Sequence, residues 1–73
     1  MLDKLKEIFA KAFPDLDIDS VTEDTRLVED LGFDSLSMMM MAMELEDSFN
    51  FKFREFVRFE TVSDVCRYLD SLA

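Results

Sequence analysis

The sequence predicts a small all-α domain. Its 73 residues include one Gly and one Pro, which is too few for a many-turned β fold. Hydrophobic residues make up 49% of the chain, so it is expected to fold and not to stay disordered. A chain of this length buries roughly 60% of the surface that its unfolded form exposes. That core holds three or four helices together but leaves little room for an enclosed active site, and we expect residues 1–73 to form one domain.

The first predicted helix covers residues 2–13. Its apolar residues recur at three- and four-residue steps, which is the spacing of one helix face. Pro14 ends the helix because the residue before a proline avoids the α region. The apolar stripe consists of Leu2, Leu5, Ile8, Phe9, Ala12 and Phe13.

Residues 14–34 are predicted to form a long loop. A loop of this length is unusual in a small domain, so it is plausible only if its apolar residues pin it to the core. Gly32 supplies a permissive backbone position just before the next helix. The residues expected to pin the loop are Leu16, Ile18, Val21, Leu27, Val28 and Leu31.

The alternating acids of this loop match part of a calcium-binding pattern. Asp15, Asp17 and Asp19 match the first, third and fifth positions of an EF-hand loop. The sixth position requires Gly and is Ser20, and the twelfth requires a bidentate Glu and is Arg26. We therefore predict no metal site, although weak binding of divalent ions by clustered carboxylates stays open.

The second predicted helix covers residues 35–49, with Asp34 or Ser35 as its N-cap. Because successive residues point about 100° apart, the four methionines of residues 38–41 do not converge on one metal ion. The core spacing is followed by Met38, Met41, Ala42, Leu45 and Phe49, and a second apolar face holds Leu36, Met39, Met40 and Met43. A helix that is apolar on both faces predicts that one face meets a partner, for which flexible Met is suited. The alternative is that all the methionines fill an irregular core.

Residues 50–60 have an ambiguous pattern, partly strand-like and partly helical. We predict a loop there with a short third helix at about residues 54–58. Residues 61–72 are predicted to form the last helix, capped by Thr61 or Ser63. Its apolar stripe consists of Val62, Val65, Cys66, Leu69 and Leu72.

Charge and composition narrow the function. The net charge is −9, so a nucleic-acid partner is not expected, whereas basic protein surfaces are favoured. The chain has no His and hence no Ser–His or Cys–His pair, and we predict that it is not an enzyme.

A single cysteine, Cys66, fits a reducing compartment, and no signal peptide is visible, so a cytoplasmic location is predicted. The longest apolar run, Met38–Met43, is too short to span a membrane, and a monomer is expected.

The strongest motif surrounds Ser35. Residues 28–36 read Val-Glu-Asp-Leu-Gly-Phe-Asp-Ser-Leu, followed by an apolar helix. This stretch resembles the attachment motif of acyl carrier proteins, a hydrophobic residue followed by Glu-Asp-Leu-Gly-x-Asp-Ser-Leu, at every specified position. The resemblance extends over essentially the whole chain, including Phe49 at the end of the second helix and Thr61-Val62 at the start of the last one.

The resemblance implies a four-helix bundle with a long first loop and a short third helix. It also implies that Ser35 receives 4′-phosphopantetheine from coenzyme A, through a phosphopantetheinyl transferase that brings Mg²⁺. The arm would then carry acyl groups as thioesters between acyl-transferring and synthase enzymes of fatty-acid, polyketide or other lipid synthesis. By resemblance the second helix is read by partners, and the predicted contacts are Asp34, Leu36, Met39, Met40, Met43, Glu44 and Asp47.

Two departures from the family pattern stand out. Ser37 and Met40 lie where many members carry acids, which predicts partners with a more apolar docking surface. Residues 50–60 look short and carry Lys52, Arg54 and Arg58 among their phenylalanines, where members are usually acidic. Two other functions stay open: a peptidyl or aminoacyl carrier, which Phe33 in place of a usual Gly disfavours, and a helical interaction module in which Ser35 is only a cap.

Overall fold

The computed structural model describes residues 1–55 and 57–72. These residues form three α-helices and one 3₁₀ turn, and none of them belongs to a β-strand. The helices are α1 (Leu2–Ala12), α2 (Ser35–Phe49) and α3 (Val62–Ser71), and the 3₁₀ turn is Ile18–Ser20. The predicted all-α class is confirmed. No helix in this described part of the chain has both the length and the apolar character needed to cross a membrane.

Helix α1 ends where its sequence requires. Leu5, Ile8 and Phe9 are buried on its core side, as the apolar stripe predicted. The helix stops one residue earlier than predicted, because Phe13 leaves the helical region at φ −130° while its N–H still bonds to the Phe9 carbonyl at 2.8 Å. That conformation is the one imposed on a residue preceding a proline.

Helix α2 has the predicted bounds and packs against α1. Met41 and Leu45 are its buried residues, while Met38 and Phe49 pack at the edge of the core. The helix ends at Asn50, whose φ of 55° is left-handed and whose N–H bonds to the Glu46 carbonyl. Asn tolerates this conformation better than most residues, which explains why the helix ends there.

Helix α3 begins with a reciprocal cap. The Thr61 hydroxyl accepts from the Asp64 N–H at 3.2 Å, and the Asp64 carboxylate accepts from the Thr61 N–H at 3.1 Å. The predicted choice between Thr61 and Ser63 is thus decided for Thr61. N–H groups of Glu60 and Thr61 stabilise the charged carboxylate, and this lowers the pKa of Asp64. The core side of α3 consists of Val62, Val65, Cys66 and Leu69.

The long loop is held by backbone pairing with the start of α3. The Leu27 N–H donates to the Glu60 carbonyl at 2.9 Å, and the Val62 N–H donates to the Thr25 carbonyl at 2.9 Å. Arg26 and Thr61 lie opposite each other as a single antiparallel bridge. Val21 and Leu27 are buried, and the half-buried Leu16, Ile18 and Leu31 pack against the core, as predicted. The prediction for Val28 was wrong, since its side chain is 52% exposed.

The predicted short helix at residues 54–58 is not found in the described part of that segment. Arg54 and Glu55 form a bend and residues 57–60 have no regular structure, while Phe56 lies outside the described residues. Of the two patterns that the sequence suggested for this segment, the strand-like one fits the described side chains better, because most of them alternate between the core and the solvent. Phe51, Phe53, Val57 and Phe59 pack inward, whereas Lys52, Arg54, Arg58 and Glu60 face solvent. Phe53 stacks on Tyr68 of α3 with ring centroids 5.3 Å apart.

Gly32 closes the turn that precedes α2. Its φ is +72°, and its N–H donates to the Val28 carbonyl at 3.0 Å. The Phe33 N–H donates to the Leu27 carbonyl at 3.0 Å, so this second hydrogen bond encloses the first and closes the turn. A Cβ at Gly32 would have no heavy atom within 4 Å, so only the backbone conformation requires glycine here.

We expect Gly32→Ala to lower the free energy of unfolding by about 1 to 2 kcal/mol, because an L side chain disfavours positive φ. Gly32→Asn is the matched variant, since Asn tolerates the left-handed region. Urea unfolding followed by circular dichroism measures both. Equal stability of the Ala and Asn variants would contradict the backbone explanation.

Candidate functional site

Asp34 caps the start of α2. Its backbone is extended, and its Oδ1 accepts from the Ser37 N–H at 2.8 Å. This hydrogen bond is the main reason that the pKa of Asp34 is lowered. The sequence left the cap open between Asp34 and Ser35, and the structure assigns it to Asp34.

Ser35 is therefore free of the capping role. It is the first residue of α2 and is exposed to solvent. Among the described residues, its hydroxyl takes part in no hydrogen bond within the fold. The alternative that Ser35 is a plain cap is wrong, and its hydroxyl is available for chemistry.

The backbone next to Ser35 is fixed by Phe33. The Phe33 side chain is buried, and its ring lies against Phe13, which follows α1, and Phe9 of α1, with centroid distances of 4.7 Å and 5.8 Å. Together with the hydrogen bond from the Phe33 N–H to the Leu27 carbonyl, this contact anchors the residue two positions before Ser35. The hydroxyl is thus presented on a fixed loop-to-helix junction.

A surface groove runs past Ser35 to an apolar cavity. The groove, named here the Ser35 groove, is lined by Val28, Glu29, Phe33, Asp34, Ser35, Met38, Met39, Arg58, Phe59 and Glu60. The cavity lies between α2 and the segment 51–59 and has a volume of about 190 Å³. It is lined by Met38, Met39, Met41, Ala42, Glu46, Phe53, Glu55, Val57 and Phe59. Three lining residues, Met38, Met39 and Phe59, are common to both, so the groove and the cavity adjoin each other at these side chains.

The two faces of α2 divide as the sequence predicted. Met41 and Leu45 are buried, whereas Leu36, Met39 and Met43 are 65%, 62% and 64% exposed. We name Leu36, Met39, Met40 and Met43 the Met face. Of the predicted acidic contacts, Asp34 and Asp47 are exposed and Glu44 is half-buried. At about 100° per residue, the Met face, Glu44 and Asp47 fall within roughly 140° of the helix circumference.

Glu46 is a residue that sequence reasoning missed. Its carboxylate accepts from the Phe53 N–H at 2.9 Å and lies 3.9 Å from the Lys52 ammonium. These contacts tie the segment after α2 to the helix and hold one wall of the cavity. Its position in the sequence could have indicated this role. A carboxylate in the last turn of a helix interacts unfavourably with the helix dipole, so a compensating partner is expected nearby.

The fold and the site define a small helical domain that presents an exposed serine in a groove next to an apolar cavity. The sequence model of the family described as "phosphopantetheine attachment site" matches residues 3–69. The chain therefore belongs to this family of carrier proteins, and its cofactor is a covalently bound 4′-phosphopantetheine.

The residues around Ser35 fit this cofactor. The exposed hydroxyl is a suitable acceptor for a phosphodiester, and the first turn of α2 favours a nearby phosphate through its N–H groups and dipole. An arm attached to this hydroxyl would have a path along the surface in the Ser35 groove. The apolar cavity at its end offers room for a short hydrocarbon segment, since a cavity of about 150 Å³ is known to bind benzene.

We expect the Asp34 cap to weaken at low pH. Because the folded pKa of Asp34 is lowered, its contribution is complete above the unfolded pKa of about 3.9 and is lost as the pH falls through the folded value. The amide proton shift of Ser37, followed by NMR between neutral and acidic pH, should report this loss. Asp34→Asn keeps a capping oxygen without the titration, so the same acid transition at Ser37 in that variant would contradict the assignment.

Proposed function

We propose that this chain is an acyl carrier protein and that Ser35 bears its 4′-phosphopantetheine arm. The observation that carries the proposal is that the Ser35 hydroxyl is exposed at the start of α2 while Asp34 performs the capping. The arm's thiol would carry acyl intermediates as thioesters in fatty-acid synthesis or in specialised lipid or polyketide synthesis. We further propose that the chain itself is not an enzyme, as carrier domains of this family are not catalytic themselves.

Loading requires the Ser35 hydroxyl to act as a nucleophile. Its Oγ forms a bond to the phosphorus that carries the pantetheine in coenzyme A, and the P–O bond of the pyrophosphate breaks. Adenosine 3′,5′-bisphosphate leaves with the bridging oxygen, and the hydroxyl proton passes to the transferase. Asp34 and Phe33 hold the junction, so the hydroxyl reaches the transferase without rearrangement of the fold.

The apolar cavity favours an acyl cargo over a peptidyl or aminoacyl one. Its wall consists mainly of Met, Ala, Phe and Val side chains, with Glu46 and Glu55 as the charged residues. Transfer of apolar surface from water into such a wall is favourable, whereas an aminoacyl group would bring an ammonium that is costly to bury. Two phenylalanines of the segment contribute to this site: Phe59 is buried in the core, and both Phe53 and Phe59 line the cavity.

The Met face is proposed as the surface that partner enzymes cover. It begins at Leu36, directly after Ser35, so an enzyme that reaches the Ser35 hydroxyl also meets these side chains. In this proposal Asp34, Glu44 and Asp47 add charge at the edge of the contact. The partners are the phosphopantetheinyl transferase and the acyl-transferring and synthase enzymes. A monomeric state and a cytoplasmic location stay predictions from the sequence.

Incubation with coenzyme A, Mg²⁺ and a broad-specificity phosphopantetheinyl transferase tests the attachment. We expect intact-mass spectrometry to show the gain of one arm, and Ser35→Ala to abolish it. Ser37→Ala is the matched control, because Ser37 lies two residues after Ser35 on the same helix turn. The Ser37→Ala chain should still gain one arm. A wild-type chain that stays unmodified, or a Ser35→Ala chain that is modified, would overturn the proposal.

Loading kinetics test the docking surface. We expect Met39→Ala and Met43→Ala to raise KM for the transferase about 5- to 10-fold, since each removes a side chain buried in the contact, typically worth about 1 kcal/mol or more. Leu72→Ala, an exposed apolar residue beyond α3, should leave KM unchanged. Raising the NaCl concentration should change the KM of wild type less than the KM of Met40→Glu, because the added carboxylate makes the contact more electrostatic. Unchanged KM in both Met variants would contradict an apolar contact.

A further inference from the structure

Among the described residues that line the Ser35 groove, Arg58 is the one cation. The other charged residues of that lining are Glu29, Asp34 and Glu60. A phosphodiester on Ser35 adds a negative charge to a rim that already holds three carboxylates. Arg58 is the lining residue whose charge can balance it.

The backbone next to Arg58 is held in place. Phe59 is buried, and the Glu60 carbonyl accepts from the Leu27 N–H at 2.9 Å. Arg58 therefore directly precedes two anchored residues, although residues 57–60 have no regular structure. Its side chain projects from a fixed position at the wall of the groove opposite α2.

The guanidinium of Arg58 is not engaged elsewhere in the described part of the chain. Arg26 pairs with Asp30 at 2.9 Å, Arg67 pairs with Asp64, and Lys52 lies near Glu46. Arg58 and Arg54 form no ion pair among the described residues. Arg54 does not line the groove, so the two arginines differ in position and not in charge.

We propose that Arg58 binds the phosphodiester of the arm on Ser35 and so directs the arm along the groove. The inference rests on the proposed attachment at Ser35. A planar guanidinium matches two phosphate oxygens, which is the geometry that a surface lysine does not reproduce. Arg58 is a positioning residue: it orients the attached group and takes no part in bond formation.

Phosphorus and nitrogen NMR of the loaded chain test this contact. In wild type, loading should shift the Nε–Hε signal of Arg58 more than that of Arg54. Arg58→Gln should shift the ³¹P resonance of the arm, Arg54→Gln should leave it in place, and Arg58→Lys should give an intermediate shift. In Arg58→Gln, but not in Arg54→Gln, the difference in Tm between the loaded and the unloaded chain should be about 1 to 5 °C smaller than in wild type.

The outcomes separate this inference from the attachment itself. Intact mass first shows whether the arm is present, so a chain without added mass would overturn both proposals. A loaded chain in which Arg58→Gln and Arg54→Gln give the same ³¹P resonance, with no Nε–Hε shift at Arg58, would overturn the Arg58 contact alone. The wild-type nitrogen measurement needs no variant, so it decides the matter even if Arg58→Gln folds poorly.

Discussion

The antiparallel backbone pairing between residues 25–27 and 60–62 is the constraint on which the site depends. It consists of two hydrogen bonds of 2.9 Å between chain segments that are far apart in sequence. On one side it leads into the turn that ends at Gly32 and presents Ser35, and on the other it carries Arg58 and the capping box of α3. Both walls of the Ser35 groove are therefore joined at one place, by hydrogen bonds between residues 25–27 and 60–62.

Helices α1, α2 and α3, and the position of Ser35 at the start of α2, were predictable because their signals are local. The apolar period of residues 2–13, the proline after it and the motif around Ser35 each lie within one turn or two of the features they determine. The division of α2 into a buried and an exposed face also follows from spacing alone, and exposure confirms it. The cap was ambiguous between Asp34 and Ser35, since both residue types accept the same hydrogen bond.

The remaining features depend on contacts that no local pattern encodes. Val28 is apolar and was expected to be buried, but the turn that ends at Gly32 places Phe33 inward and leaves Val28 outside. The described residues between 51 and 59 have no partner strand among the described residues, and Phe51, Phe53 and Phe59 instead pack on Tyr68, while Phe53 and Phe59 line the cavity beside α2. Glu46 appears in sequence as one more surface acid, and only the folded chain shows that it holds the Phe53 amide.

The separation of the Asp34 cap from the Ser35 hydroxyl also bears on how loaded and unloaded forms are told apart. Since the hydroxyl takes part in no internal bond among the described residues, a group added to it displaces nothing in the scaffold. If Ser35 carries the arm, both forms share the same loop-to-helix junction and differ in the appendage and in the contacts it makes with the groove. Enzymes that act on one form and ignore the other would then have to sense the appendage and its charge directly, and the domain would serve as a reusable handle.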